Sequence, residues 1–209
     1  MSIELFSIPA LVLVCLTSLA LLLVTDWRWC LIAILIQYLG VFVLVSLSWP
    51  LAMAGAKFVA GGMAIGVLWL AEIGLVQQID EGDILTTGTP STGDTLELSG
   101  ILFRLFAGIM VALVVFSSQS VILEWIPQLN PAQAIASMFL IGLGLLHLGL
   151  DSSALGVVLG LLTILCGFEI IYASVETSAL VEGLLATVTL ALALVGAYLI
   201  LAPGMKENT

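Results

Sequence analysis

Residues 154–202 read ALGVVLGLLTILCGFEIIYASVETSALVEGLLATVTLALALVGAYLILA, two long apolar runs joined by the short polar hairpin Ser174–Ser178. The runs Ala154–Ala173 and Ala179–Ala202 are unbroken rather than alternating, which excludes the two-residue period of a barrel strand. Each matches the roughly 20 apolar residues that carry a helix across a bilayer. An unpaired backbone group in hydrocarbon costs several kcal/mol, so an apolar run inside the bilayer must close its own hydrogen bonds as a helix.

The same signature extends upstream. Further spans are expected at Leu5–Val24, Arg28–Ser48, Leu51–Val76, Gly100–Ile126 and Ala132–Leu150. Thr25-Asp26, Trp49-Pro50, Pro127–Pro131 and Asp151-Ser152-Ser153 read as connections. Trp27, Trp29 and Trp49 at the ends of the second span fit an interfacial aromatic belt. The segment Gln77–Ser99 is rich in Gly, Thr, Ser and Asp and reads as an exposed loop. Pro203–Thr209 reads as a polar tail, and MSIEL at the start lacks the basic residues of a signal peptide, so the first run is expected to be retained. The expected fold is a single all-α polytopic membrane domain over residues 1–209. It has three helices in 1–76, a polar loop at 77–99, four helices in 100–203 and a tail at 204–209.

Composition supports this. The 209 residues are 62% hydrophobic and 9% charged, with a mean hydropathy of +1.29. A soluble domain is nearer 45–50% apolar and about 25% charged. The net charge is −10 with four Lys and Arg, which leaves no basic patch for nucleic acid. Cys15, Cys30 and Cys166 lie in apolar runs without CxxC spacing and read as small buried hydrophobes. With one histidine and no cysteine pair, the chain offers no metal or haem ligand set. It has no Gly-rich phosphate loop and no hydrolytic triad, so no catalytic residue, cofactor or metal is expected. With seven spans, Arg28, Arg104 and Lys206 fall on one side, which the positive-inside rule makes cytoplasmic. That puts the N-terminus outside and the C-terminus inside.

A charge inside a bilayer costs roughly 2.5–3.5 kcal/mol on insertion scales, so each one is a functional candidate. Lys57 lies seven residues past Pro50, about 10 Å along a helix. Glu169 lies seven residues before Glu176 and Glu182 six after it, so the hairpin places both carboxylates at about the same depth. Lys57, Glu169 and Glu182 are therefore expected in one layer, where a lysine poises neighbouring carboxylates for proton transfer. A structural ion pair or a snorkelling lysine is the plain alternative. Glu72, Glu124 and His147 are secondary candidates. Glu72 and Glu124 lie near span ends where they can be solvated, and His147 reads as a hydrogen-bonded packing residue. Arg104, at the start of its span, reads as an interfacial anchor. Gln37-Tyr38 and Gln119 read as interhelical hydrogen-bonding residues, and Gly156-xxx-Gly160 as a helix-packing pattern.

The stretch Gly167-Phe168-Glu169-Ile170-Ile171-Tyr172-Ala173-Ser174 resembles the second-helix motif of the K subunit of respiratory complex I. The wider pattern resembles component E of the hydrogenase-4 and formate-hydrogenlyase membrane arms. Ala54-Gly55-Ala56-Lys57-Phe58-Val59 is similar to the region of that component's intramembrane lysine. Leu180-Val181-Glu182-Gly183-Leu184-Leu185-Ala186-Thr187 is similar to the start of its last helix. Two departures are visible: the relatives carry a further acid about where this chain has Thr187-Val188, and Glu169 sits later in its helix than the family glutamate. The resemblance implies C-terminal helices like those of the K subunit. It also implies an accessory, cofactor-free subunit of a proton- or ion-translocating respiratory or hydrogenase complex. Antiporter-like subunits would be its neighbours in a bacterial or archaeal cytoplasmic membrane. A stand-alone transporter or channel, and a purely structural membrane subunit, are the other readings of the same charges.

Overall fold

A computed structural model describes the backbone of residues 6–82 and 94–207 and the side chains of residues 6–77 and 99–202. Among the described residues the chain forms seven helices. They are α1 (Ser7–Leu23), α2 (Trp27–Val45), α3 (Leu51–Gly82), α4 (Asp94–Trp125), α5 (Pro131–Leu150), α6 (Ala154–Val175) and α7 (Ala179–Glu207). Six are long and apolar enough to cross a membrane, and α1 is shorter at 17 residues. The protein is an all-helical polytopic integral membrane protein.

The helix boundaries have local causes. Asp26 caps α2 by accepting from the Arg28 amide at 3.3 Å. Asn130 and Gln133 form a reciprocal capping box at α5, with Pro131 at the first helical position, where its missing N–H costs nothing. The Ser153 hydroxyl accepts from the Gly156 amide at 2.9 Å and starts α6. Two boundaries differ from expectation. α3 continues to Gly82 and α4 begins at Asp94, so helix occupies both flanks of the expected Gln77–Ser99 loop. Residues 83–93 lie outside the described residues. α7 also runs on to Glu207, through the segment expected as tail, while residues 208–209 are outside the described residues.

Helix packing follows a ring in the order α1, α2, α3, α7, α6, α5 and back to α1, with α2 and α6 touching across its middle. That contact divides the ring into two four-helix groups, α2–α3–α7–α6 and α1–α2–α6–α5. α4 lies outside the ring against α5 and α1. It exposes Leu102, Phe103, Phe106 and Phe116, an apolar face suited to hydrocarbon. Lipid tails remove the hydrophobic drive between helices, so close approach depends on small residues. At the α5–α6 seam, a Cβ added at Gly167 would lie 2.6 Å from the Ser137 carbonyl oxygen, and one at Gly160 would lie 3.2 Å from the Gly144 carbonyl oxygen. These glycines let the two backbones meet. Gly156 instead makes room for the Asp151 side chain at the start of α6.

Candidate functional site

The α2–α3 and α6–α7 turns are tied together, because the Trp49 indole N–H donates to the Glu176 carbonyl at 2.8 Å. Trp49 is only 4% exposed, so it is an inward staple between two connections rather than part of the expected aromatic belt. With the turns pinned, residues equally far along α3 and α6 meet inside the α2–α3–α7–α6 group. The Lys57 ammonium donates to Glu169 Oε1 at 2.6 Å and to Thr189 Oγ1 at 3.0 Å. Lys57 is 3% exposed and Glu169 1%, so the pair is sealed from the surroundings. The Tyr38 ring centroid lies 5.2 Å from the ammonium and supplies a cation–π face. The ring fits only because position 61 is glycine: any Cβ there would overlap it.

Glu182 is buried on α7 within electrostatic reach of both Lys57 and Glu169. The bond that α7 makes to the lysine comes from Thr189, seven residues beyond Glu182 and on the same helix face. Among the described residues, Glu169 Oε2 and Glu182 Oε1 have no hydrogen-bond partner. The cluster thus holds one cation, two carboxyl groups and unused acceptor capacity inside the bundle. A proton placed there can sit on the ammonium or on either carboxyl, and the low dielectric makes each redistribution energetically large.

A second set of polar groups lies in the α1–α2–α6–α5 group. Gln37, fully buried, donates from Nε2 to Thr163 Oγ1 at 3.4 Å, and its Oε1 lies 3.2 Å from the Ser18 hydroxyl. Cys166 sits on α6 between Thr163 and Glu169 and is fully buried. Gln133 ties α5 to the end of α2 through the Leu44 carbonyl at 2.8 Å and the Ser48 hydroxyl at 3.0 Å. Gln37 therefore fills its expected role. Gln119 lies half-buried on the outlying α4.

The secondary candidates separate. Glu124 is exposed at the end of α4 and joins no cluster. Glu72 lies five residues before the end of the apolar span at Gln77, as expected, but it is only 8% exposed and faces a cavity rather than the open surface. His147 is 4% exposed, and among the described residues neither ring nitrogen has a partner, so it is not a hydrogen-bonded packing residue. Arg104 lies ten residues inside α4 and donates to the Leu22 carbonyl at 3.1 Å, fastening α4 to the end of α1. Glu72, Arg104, His147 and Asp151 line a cavity of about 350 Å³ at the opposite end of the bundle from the Lys57 cluster. None of these four meets Lys57, Glu169 or Glu182. Among the described residues no three His, Cys, Asp or Glu side chains converge in a metal-binding arrangement.

Sequence reasoning missed Thr189 and the Tyr38–Gly61 contact. The signal for Thr189 was present, since a hydroxyl two helical turns from Glu182 shares its face. Fold and cluster together define a polytopic membrane protein that encloses a charged pair within its helices. Compared with known protein families, curated proteins and solved structures, the chain matches none.

Proposed function

We propose that this chain is an accessory membrane subunit of a complex-I-like or hydrogenase-like assembly that translocates protons or other ions. In this reading it is related to component E of hydrogenase-4 and to the K subunit of complex I. The observation that carries the reading is the buried Lys57–Glu169 pair, with Thr189 on the ammonium and Glu182 within electrostatic reach. Intramembrane charges at such a cost line ion pathways or proton relays. The same residues carry the sequence resemblance, and Thr189 brings a polar group close to the position where the relatives carry a further acid. In this role Lys57 sets the protonation of the carboxyls, Glu169 and Glu182 exchange protons, and larger antiporter-like subunits supply the rest of the route.

Such a subunit acts in company. Purified through a tag on this chain in mild detergent, it is expected to bring larger membrane subunits with it, and the chain alone in liposomes is expected to move no ions. Ion movement by the chain alone would replace this reading with a stand-alone transporter.

The membrane in this reading is a bacterial or archaeal cytoplasmic membrane, with the N-terminus outside and the C-terminus inside. Arg28 and Arg104 belong to the bundle end that would face the cytoplasm, and α7 ends there with Lys206. Gln128 and Ser152 are exposed on connections at opposite ends. An impermeant thiol reagent on intact cells is expected to label Gln128→Cys, and to reach Ser152→Cys only after permeabilisation. The reverse pattern would invert the topology.

A further inference from the structure

The cavity at the far end of the bundle takes no part in the Lys57 cluster, yet it is built from polar groups. Its volume is about 350 Å³, against roughly 30 Å³ per molecule in liquid water, so it admits several waters. On its wall stands His147, the single histidine of the chain. An imidazole presents two ring nitrogens that need partners. Leaving a buried polar group unmatched is unfavourable, and among the described residues neither nitrogen has a partner. Water in the cavity would.

Charged and titratable groups surround the cavity from several elements. α3 contributes Glu72, α4 contributes Arg104, the connection after α5 contributes Asp151, and α2 contributes Cys30. The segment after α1 and the start of α6 contribute the hydroxyls of Thr25 and Ser153. Asp151 offsets the charge that protonation places on the ring, and Arg104 opposes it. Leu159 also lines the cavity. Its carbonyl accepts from Thr163 at 2.8 Å, one turn deeper, and Thr163 is bonded to Gln37.

We propose that this cavity is a proton-exchange port in which His147 takes protons from water at one face of the membrane, with the Thr163–Gln37 groups and Cys166 lying between it and the Lys57–Glu169 pair. In the exchange step a ring-nitrogen lone pair forms an N–H bond, an O–H bond of hydronium breaks, and water is released. The reverse step returns the proton. As one end of a proton path the port rests on the function proposed above; as a solvent-reached, titrating histidine it does not.

The test uses the full chain in lipid nanodiscs, purified through a histidine-free tag and labelled with ¹⁵N-histidine, so that one residue reports. The ring resonances are expected to pass from one form to the other within roughly pH 5–8, the window in which imidazoles change charge. Asp151→Asn and Arg104→Gln are expected to move the midpoint by about one pH unit in opposite senses. A ring held in one form through that range overturns the port, and this needs no variant to fold. A midpoint unmoved by both substitutions overturns it too. A titrating His147 in a chain whose complex pumps normally without the Glu169 carboxylate keeps the port and removes the function reading.

Discussion

Lys57→Met is expected to destabilise the bundle by about 3–5 kcal/mol, because it leaves Glu169 buried without its cation. The substitution keeps a long unbranched side chain, so little of the loss comes from packing. Adding Glu169→Gln to the same chain is expected to recover part of the loss, up to about 3 kcal/mol, the usual range of coupling between residues in contact. The reason is geometric. The ammonium and the carboxylate are 2.6 Å apart and both are sealed from the surroundings, so neither can turn to water when its partner goes. Unfolding of the purified variants in mixed micelles by titration with a denaturing detergent measures all four corners of the cycle. Losses that simply add, within about 0.5 kcal/mol, would mean that the two residues do not interact as the structure places them.

Glu169→Gln is expected to reduce ion translocation by the assembled complex by about 100-fold, the low end of what a positioned proton-transfer group contributes. Glutamine keeps the shape and can still accept from Lys57, but it cannot take up and release a proton. Glu169→Asp keeps the carboxyl and withdraws it by one methylene from the Lys57 ammonium, so it is expected to retain part of the activity. The measurement is the ion gradient built by the co-purified complex in proteoliposomes, normalised to its own driving reaction. Co-purification of the partner subunits with each variant controls for assembly. If Glu169→Gln builds a gradient like the unmodified chain, the Lys57–Glu169 pair only holds α3 against α6, and the subunit's role is structural.

The two results separate stability from function at one pair. Loss of stability with normal pumping points to a staple. Loss of pumping in Glu169→Gln with an assembled complex points to a relay. Either outcome leaves the Trp49–Glu176 contact as the feature that sets the depth of the cluster.

Much of the architecture is one-dimensional information. Each span shows as an apolar run because the bilayer thickness sets its length, and the α6–α7 hairpin fixes equal depth for residues equally far from its turn. Counting from Pro50 and Glu176 therefore placed Lys57 and Glu169 in one layer before any coordinates. The connections at Thr25-Asp26, Pro127–Pro131 and Asp151-Ser152-Ser153 were equally legible, and the caps that Asp26, Asn130 and Ser153 form there each act within one turn of their own chain. The loop and tail boundaries were less so, because Gln77–Gly82 and Asp94–Ser99 are polar enough to leave the bilayer yet still continue a helix.

Rotation about each helix axis was decided by the tertiary structure alone. In a soluble helix the polar face announces which side is outside. Here the lipid-facing and buried sides are both apolar, and packing rather than hydrophobicity chooses between them. That is why Thr189 rather than Glu182 bonds the ammonium, why Trp49 turns inward, and why Tyr38 finds its place against Gly61. It is also why Glu72, Arg104, His147 and Asp151, drawn from three helices and a connection, meet around one cavity that no spacing in the chain foretold.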